Sequence, residues 1–161
     1  MITLVLGGAA SGKSVFAERL LAGAGPVTYL ATGVASDEDM AARIATHQAR
    51  RPAGWRTVDA ASCLPEALLG TGGPAMVDSL GTWVAAAAGF AVDAAALCRA
   101  LTTRAGDTVV VSEEVGLGVH PSTEAGRSFR DALGLLNQAV AEVADDVVLV
   151  VAGRPLRLER P

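Results

Sequence analysis

Cysteine is nearly missing from this sequence. Cys63 and Cys98 are the two in 161 residues, far apart and without C-x-x-C spacing. That speaks against a disulfide framework or a zinc site, and two free thiols in a reducing cytosol are expected. Basic runs are missing too, and the net charge is −4. A general nucleic-acid binder, whose affinity rests on many phosphate contacts, is not expected. The longest apolar stretch, "WVAAAAGFAV" (83–92), is too short to span a bilayer. The opening "MITLVLGG" has no basic n-region and runs into glycines, so it reads as a strand and not a signal peptide. The expectation is a soluble cytoplasmic protein with no membrane span. There is no repeat, low-complexity tract or linker, so residues 1–161 are read as a single domain.

What is present is apolar. Hydrophobic residues make up 51% and charged residues 19%, which excludes a disordered chain. Short strand-like runs alternate with helical stretches. Strands are expected at 2–6, 26–32, 55–60, 74–79, 107–116 and 146–153. Helices are expected at 13–23, 37–50, 63–70, 93–106 and 122–145, the last opened by the start signal "STE". Such alternation implies right-handed crossovers and a mainly parallel sheet with helices on both faces, an α/β fold. Ligands then gather at the carboxyl ends of the strands. The short segments "GGAASGKS", "ATG", "DS" and "SEE" fall there.

"GGAASGKS" comprises Gly7, Gly8, Ala9, Ala10, Ser11, Gly12, Lys13 and Ser14. It matches G-x-x-x-x-G-K-[ST] between a predicted strand and a predicted helix, the context of a P-loop. Glycine lets backbone N–H groups face phosphates without a Cβ in the way. Lys13 would reach the β- and γ-phosphates, and Ser14 would hold Mg2+. Asp78 ends the apolar run "PAMV". It is either a second Mg2+ ligand or a helix N-cap, a cap that Ser79 could equally supply. Glu113 and Glu114 follow "TVVVS". One of them orients a nucleophile or binds a substrate hydroxyl or amide, or both form a solvated turn.

The chain has two histidines. His120 lies in a loop before proline and reads as structural or exposed. His47 lies in "RIATHQARRP", where Arg43, His47 and Arg51 share a helical face and Arg50 sits beside them. Flanking cations disfavour a second positive charge, so the imidazole stays neutral and nucleophilic near pH 7. The same arginines suit phosphate. Periodicity alone leaves His47 equally readable as a solvated surface residue. Arg127 and Arg130 contact phosphate or pair with Glu124 and Asp131. Trp55 and Trp83 read as packing residues.

The segments "GGAASGKS", "YLATG", "DEDMAARIATHQARRPAGWRTVD", "VDSLGTWV" and "SEEVGLGVHPSTEAGRSFRDALGLLNQAVAEVADDVVLVVAG" follow one another over nearly the whole chain. Together they resemble the bifunctional adenosylcobinamide kinase / adenosylcobinamide-phosphate guanylyltransferase family of cobalamin biosynthesis. The resemblance implies phosphorylation of adenosylcobinamide with ATP or GTP. It also implies transfer of GMP from GTP to adenosylcobinamide phosphate, giving adenosylcobinamide-GDP. It implies a covalent GMP–histidine at His47. Nucleotide contacts are implied at Ala31, Thr32 and Gly33, at Gln48, Ala49, Arg50 and Arg51, and at Asp59 and Asp78. Either acid suits the two donors on the guanine edge. A P-loop domain with a RecA-like sheet, assembled as a homotrimer, is the implied architecture. Within the family pattern, the position of Glu113 often carries asparagine. Two other readings compete: a P-loop small-molecule kinase without a covalent intermediate, and a nucleotide-regulated binding module.

Overall fold

The runs "ITLVLG", "TVVVSE" and "DVVLVV" are rich in β-branched residues, whose stiff side chains suit a pleated surface. The computed structural model describes residues 1–33, 38, 45, 52 and 54–160 and makes these runs neighbours at the centre of one sheet. The strands are β1 (Ile2–Gly7), β2 (Thr28–Ala31), β3 (Arg56–Asp59), β4 (Ala75–Asp78), β5 (Thr108–Glu113), β6 (Asp146–Val151) and β7 (Arg154–Arg157). Their order across the sheet is β3-β2-β4-β5-β1-β6-β7. Pairing is parallel from β3 through β6 and antiparallel between β6 and β7. The helices are α1 (Lys13–Leu20), α2 (Leu64–Leu69), α3 (Leu80–Ala86), α4 (Ala94–Thr103) and α5 (Glu124–Val143).

Side chains alternate across a strand, and both faces of this sheet are apolar. Leu4, Val77 and Val110 point into a layer formed with Leu64 and Leu68 of α2, Leu80 and Trp83 of α3, Leu97 of α4, and Leu133 and Leu136 of α5. Val5, Met76, Val109 and Val111 point the other way, against Ala17 of α1. Helices therefore lie on both faces, as the alternation predicts. Leu4, Leu30, Leu64, Leu68, Leu97 and Leu133 are wholly buried. Each contributes roughly 1.5–3 kcal/mol from removal of its side chain from water. Trp83 belongs to this core, and Trp55 packs beside Tyr29 with ring centroids 6.5 Å apart.

Helix starts follow their caps. Asp93 accepts from the Ala96 N–H and Thr123 from the Gly126 N–H, so α4 and α5 each begin one residue later than those side chains. The helix expected over 37–50 falls almost wholly outside the described residues. Strand β7 was not expected. Ala152 and Gly153 both have positive φ, 50° and 72°, and form the two-residue turn that folds it back on β6. Its Pro155 is tolerated because β7 is an edge strand.

Candidate functional site

Parallel strands deliver their last residues to one edge of the sheet. Gly7 pairs with Glu113, Ala31 with both Asp59 and Asp78, and Asp78 with Val111. Period-two alternation puts Gly7, Ala31, Asp59, Asp78 and Glu113 on the face that α1 covers. The first turn of α1 rises from that edge.

The chain leaves β1 at Gly7 and enters α1 at Lys13. Two residues between them are left-handed, Ala10 at φ 54° and Gly12 at φ 91°. Glycine fits the second without strain. A Cβ on Gly7 would overlap the Ser11 hydroxyl and lie 2.8 Å from the Val150 carbonyl. A Cβ on Gly8 would meet nothing within 4 Å. The loop is held from behind by the β6–β7 turn, where Gly153 N–H donates to the Ser11 carbonyl at 2.8 Å. Ala9 and Ala10 are exposed and Ser14 is half-buried in the first turn of the helix. These are the backbone requirements of a phosphate cradle opening onto a helix N-terminus.

Lys13 is the only lysine in the chain. Its ammonium donates to the Gly8 carbonyl at 3.3 Å and lies 3.5 Å from Glu113 Oε1. The side chain is 12% exposed, so it is held across the loop rather than extended into water.

The four strand-end acids part company here. Asp59 is exposed, and its carboxylate accepts from the Ala61 N–H at 3.1 Å. Asp78 accepts from Tyr29 Oη at 2.6 Å. Glu114 folds onto the Gly116 N–H at 2.6 Å. Glu113 alone of the four is within 4.0 Å of Lys13 among the described residues. The N-cap of α3 is Ser79 and not Asp78. Thr32 is fully buried, and its hydroxyl bonds the Ser79 carbonyl and the Thr82 hydroxyl, each at 2.6 Å. Gly33 lies beside Thr82, 3.9 Å from its methyl for a Cβ built there.

Ser79 takes the cap that the sequence offered to it or to Asp78, and Asn137 joins this edge with no role assigned to it by the sequence. Asn137 Nδ2 donates to the Glu113 carbonyl at 3.1 Å, and Ser112 Oγ donates to Asn137 Oδ1 at 2.6 Å. A lone asparagine on the apolar face of a long helix was the signal. His120 Nδ1 and Arg130 Nη1 are 2.9 Å apart, and Arg130 also pairs with Asp131. Arg127 donates to the Pro121 and Ser122 carbonyls. His47, Gln48, Ala49, Arg50 and Arg51 lie outside the described residues. Among the described residues, no three His, Cys, Asp or Glu side chains cluster as metal ligands, and no helix is long and apolar enough to cross a membrane.

Residues 3–158 match the family model described as cobinamide kinase / cobinamide phosphate guanyltransferase. The chain is 41% identical to the bifunctional adenosylcobalamin biosynthesis protein CobP of Pseudomonas aeruginosa, over 99% of this chain and 98% of that protein. It is 36% identical to the bifunctional adenosylcobalamin biosynthesis protein CobU of Salmonella typhimurium, and 35% identical to that of Escherichia coli. Both alignments cover 99% of this chain and 100% of the relative.

Proposed function

The chain belongs to the cobinamide kinase / cobinamide phosphate guanyltransferase family, and from that premise we propose how its residues divide the two reactions. In the first, the P-loop of Gly7–Ser14 cradles the triphosphate of ATP or GTP, and Lys13 neutralises charge on the γ-phosphoryl group as it passes to the hydroxyl of adenosylcobinamide. In the second, His47 attacks the α-phosphorus of GTP. The N–P bond forms, the bond to the β-phosphate oxygen breaks, and pyrophosphate leaves. A phosphate oxygen of adenosylcobinamide phosphate then displaces the imidazole, giving adenosylcobinamide-GDP. Two easy displacements replace one difficult transfer.

The observation that carries this reading is the P-loop seated between β1 and α1, with its lysine held across it, in a chain that matches the family from residue 3 to residue 158. The reading adds nucleotide contacts at Ala31–Gly33 and at 48–51, and a guanine-reading acid at Asp59 or Asp78. Mg2+ suits the hard oxygen donors Ser14 and Asp78 at the same sheet edge, and would neutralise phosphate charge there. Residues 1–161 are taken as one domain that works as a homotrimer in the cytoplasm.

The test is incubation of the protein with Mg2+ and α-labelled GTP, followed by denaturation. Label should stay on the protein, survive alkali, leave in acid, and be lost in His47→Ala. Absence of label from protein that binds GTP would overturn the covalent route.

A further inference from the structure

We propose that the loop after β5, residues 116–120, is the platform for the corrin ring of adenosylcobinamide, with Leu117 and Val119 against the ring and His120 serving its amide rim. This deepens the kinase half of the reading above and rests on it.

The stretch "EVGLGVHP" (114–121) alternates apolar side chains with glycine. Val115 packs against the core, but Leu117 is 81% exposed and Val119 95%. No large apolar side chain among the described residues is more exposed than these two. A single exposed apolar residue is ordinary. Two on one short loop, at the edge where the phosphates bind, are not scattered.

Topology puts the loop beside the P-loop. The Glu114 N–H donates to the Gly7 carbonyl at 3.1 Å, so the chain leaves the sheet where the P-loop begins. Counted from that bond, Leu117 is at most about 11 Å of chain away and Val119 about 18 Å. The hydroxyl that takes the γ-phosphoryl group sits on an arm of the substrate, so the ring must rest within an arm's length of the cradle.

The loop is held at both ends. Glu114 Oε1 accepts from the Gly116 N–H at 2.6 Å. Arg127 donates to the Pro121 and Ser122 carbonyls at 3.1 and 3.2 Å. Gly126 lets Pro121 close on α5, since a Cβ there would lie 2.9 Å from the proline Cβ. Arg130 Nη1 is 2.9 Å from His120 Nδ1. A guanidinium has donors only, so Nδ1 accepts and Nε2 is left to donate. A surface fixed in advance loses less freedom when a ligand arrives.

The chemistry of the loop matches the acceptor. A corrin ring has broad apolar faces and a rim of amide groups. Leu117 and Val119 suit the faces, and the His120 donor suits the rim. Gly118 stands in open space, where a Cβ would meet nothing within 4 Å, so a flat ring reaches its backbone unhindered. Another protein surface is a poorer fit. A stable protein contact buries about 800 Å2 on each partner, and two side chains supply little of that.

The experiment compares wild type with the double variant Leu117→Ser, Val119→Ser. Leu135→Ser, at an exposed leucine on α5, is the control. Adenosylcobinamide binding is measured by equilibrium dialysis from the visible absorbance of the corrin, with and without a non-hydrolysable GTP analogue. Phosphorylation kinetics, binding of a fluorescent GTP analogue and elution volume are measured alongside. The double variant should bind adenosylcobinamide about 10- to 100-fold more weakly and show a matching rise in KM. Its GTP binding and elution volume should stay those of the wild type. Leu135→Ser should behave as wild type, and the pair Leu117→Met, Val119→Ile should keep the affinity within about threefold. An unchanged affinity in the double variant would overturn the proposal. So would a changed elution volume, which makes the loop a contact between subunits, or lost GTP binding, which makes it a prop of the P-loop. A wild type that neither binds nor phosphorylates adenosylcobinamide sinks the kinase reading and this inference with it. An active wild type with an equally good double variant sinks the inference alone.

Discussion

Asn137 is buried on the apolar stripe of α5, between Leu136 and Val140, and both ends of its amide are engaged. A buried polar group is tolerated when it is fully hydrogen-bonded and costly when its partner is removed. Asn137→Ala would strand the hydroxyl of Ser112, which is wholly buried, and the carbonyl of Glu113. Loss of about 1–3 kcal/mol is expected, read as a lower urea midpoint at unchanged slope. An unchanged midpoint would mean that this amide is not needed to hold the end of β5. The sequence could not reach this residue, because one polar side chain in an apolar stripe looks like an imperfection in the pattern. It also could not separate Glu113 from Glu114. Neighbouring acids are alike in composition, and only the register of β5 against β1 sends one toward Lys13 and the other into the turn at Gly116. The P-loop residues were legible because their requirement is local: Gly12 needs its left-handed φ whatever else surrounds it.

Elements were legible where their own period or cap declared them. Strands β5 and β6 and the capped helices α4 and α5 fall within the expected stretches, and β1 runs one residue past its own. Strand β7 did not declare itself. "RPLR" is polar, contains proline, and is fully exposed, so its pairing is set by the turn before it and the edge it meets. The opposite end of the sheet has an organiser of the same hidden kind. Arg104, just past α4, donates to the Thr71 and Gly73 carbonyls of one turn and to Gly106 and the Thr108 hydroxyl of another. Burial lowers its pKa and the charge of Asp107 opposes that shift. Gly106, at φ 103°, lets the second turn come against the Gly73 backbone, where a Cβ would collide. Arg104→Met would leave several carbonyls without a donor. The cost should be about 2 kcal/mol, discounted because part of the network is exposed. The arginine lies at the far end of the strands from Lys13. Folded variant should therefore transfer phosphate at the wild-type rate, and a loss of rate matching the loss of stability would show the two ends to be coupled.

The whole molecule puts its working groups at the carboxyl edge of a sheet buried on both faces. The charged machinery there is small. Lys13 meets Gly8 and Glu113 through contacts on one edge, and the core beneath is complete without it. Stability and nucleotide binding should therefore separate on substitution. A ligand that binds the folded state alone, present at one hundred times its Kd, adds about 2.7 kcal/mol. For a chain of this size that corresponds to a rise of about 5–10 °C in Tm. GTP with Mg2+ should raise the Tm of the wild type by that amount. Lys13→Ala should melt within about 3 °C of the wild type when no nucleotide is added, and should lose most of the rise. If Lys13→Ala still gained the full rise, the binding energy would come from the backbone cradle alone, and the lysine would act only on the phosphoryl group in transfer. If the variant unfolded without nucleotide, the ion pair with Glu113 would be part of the fold.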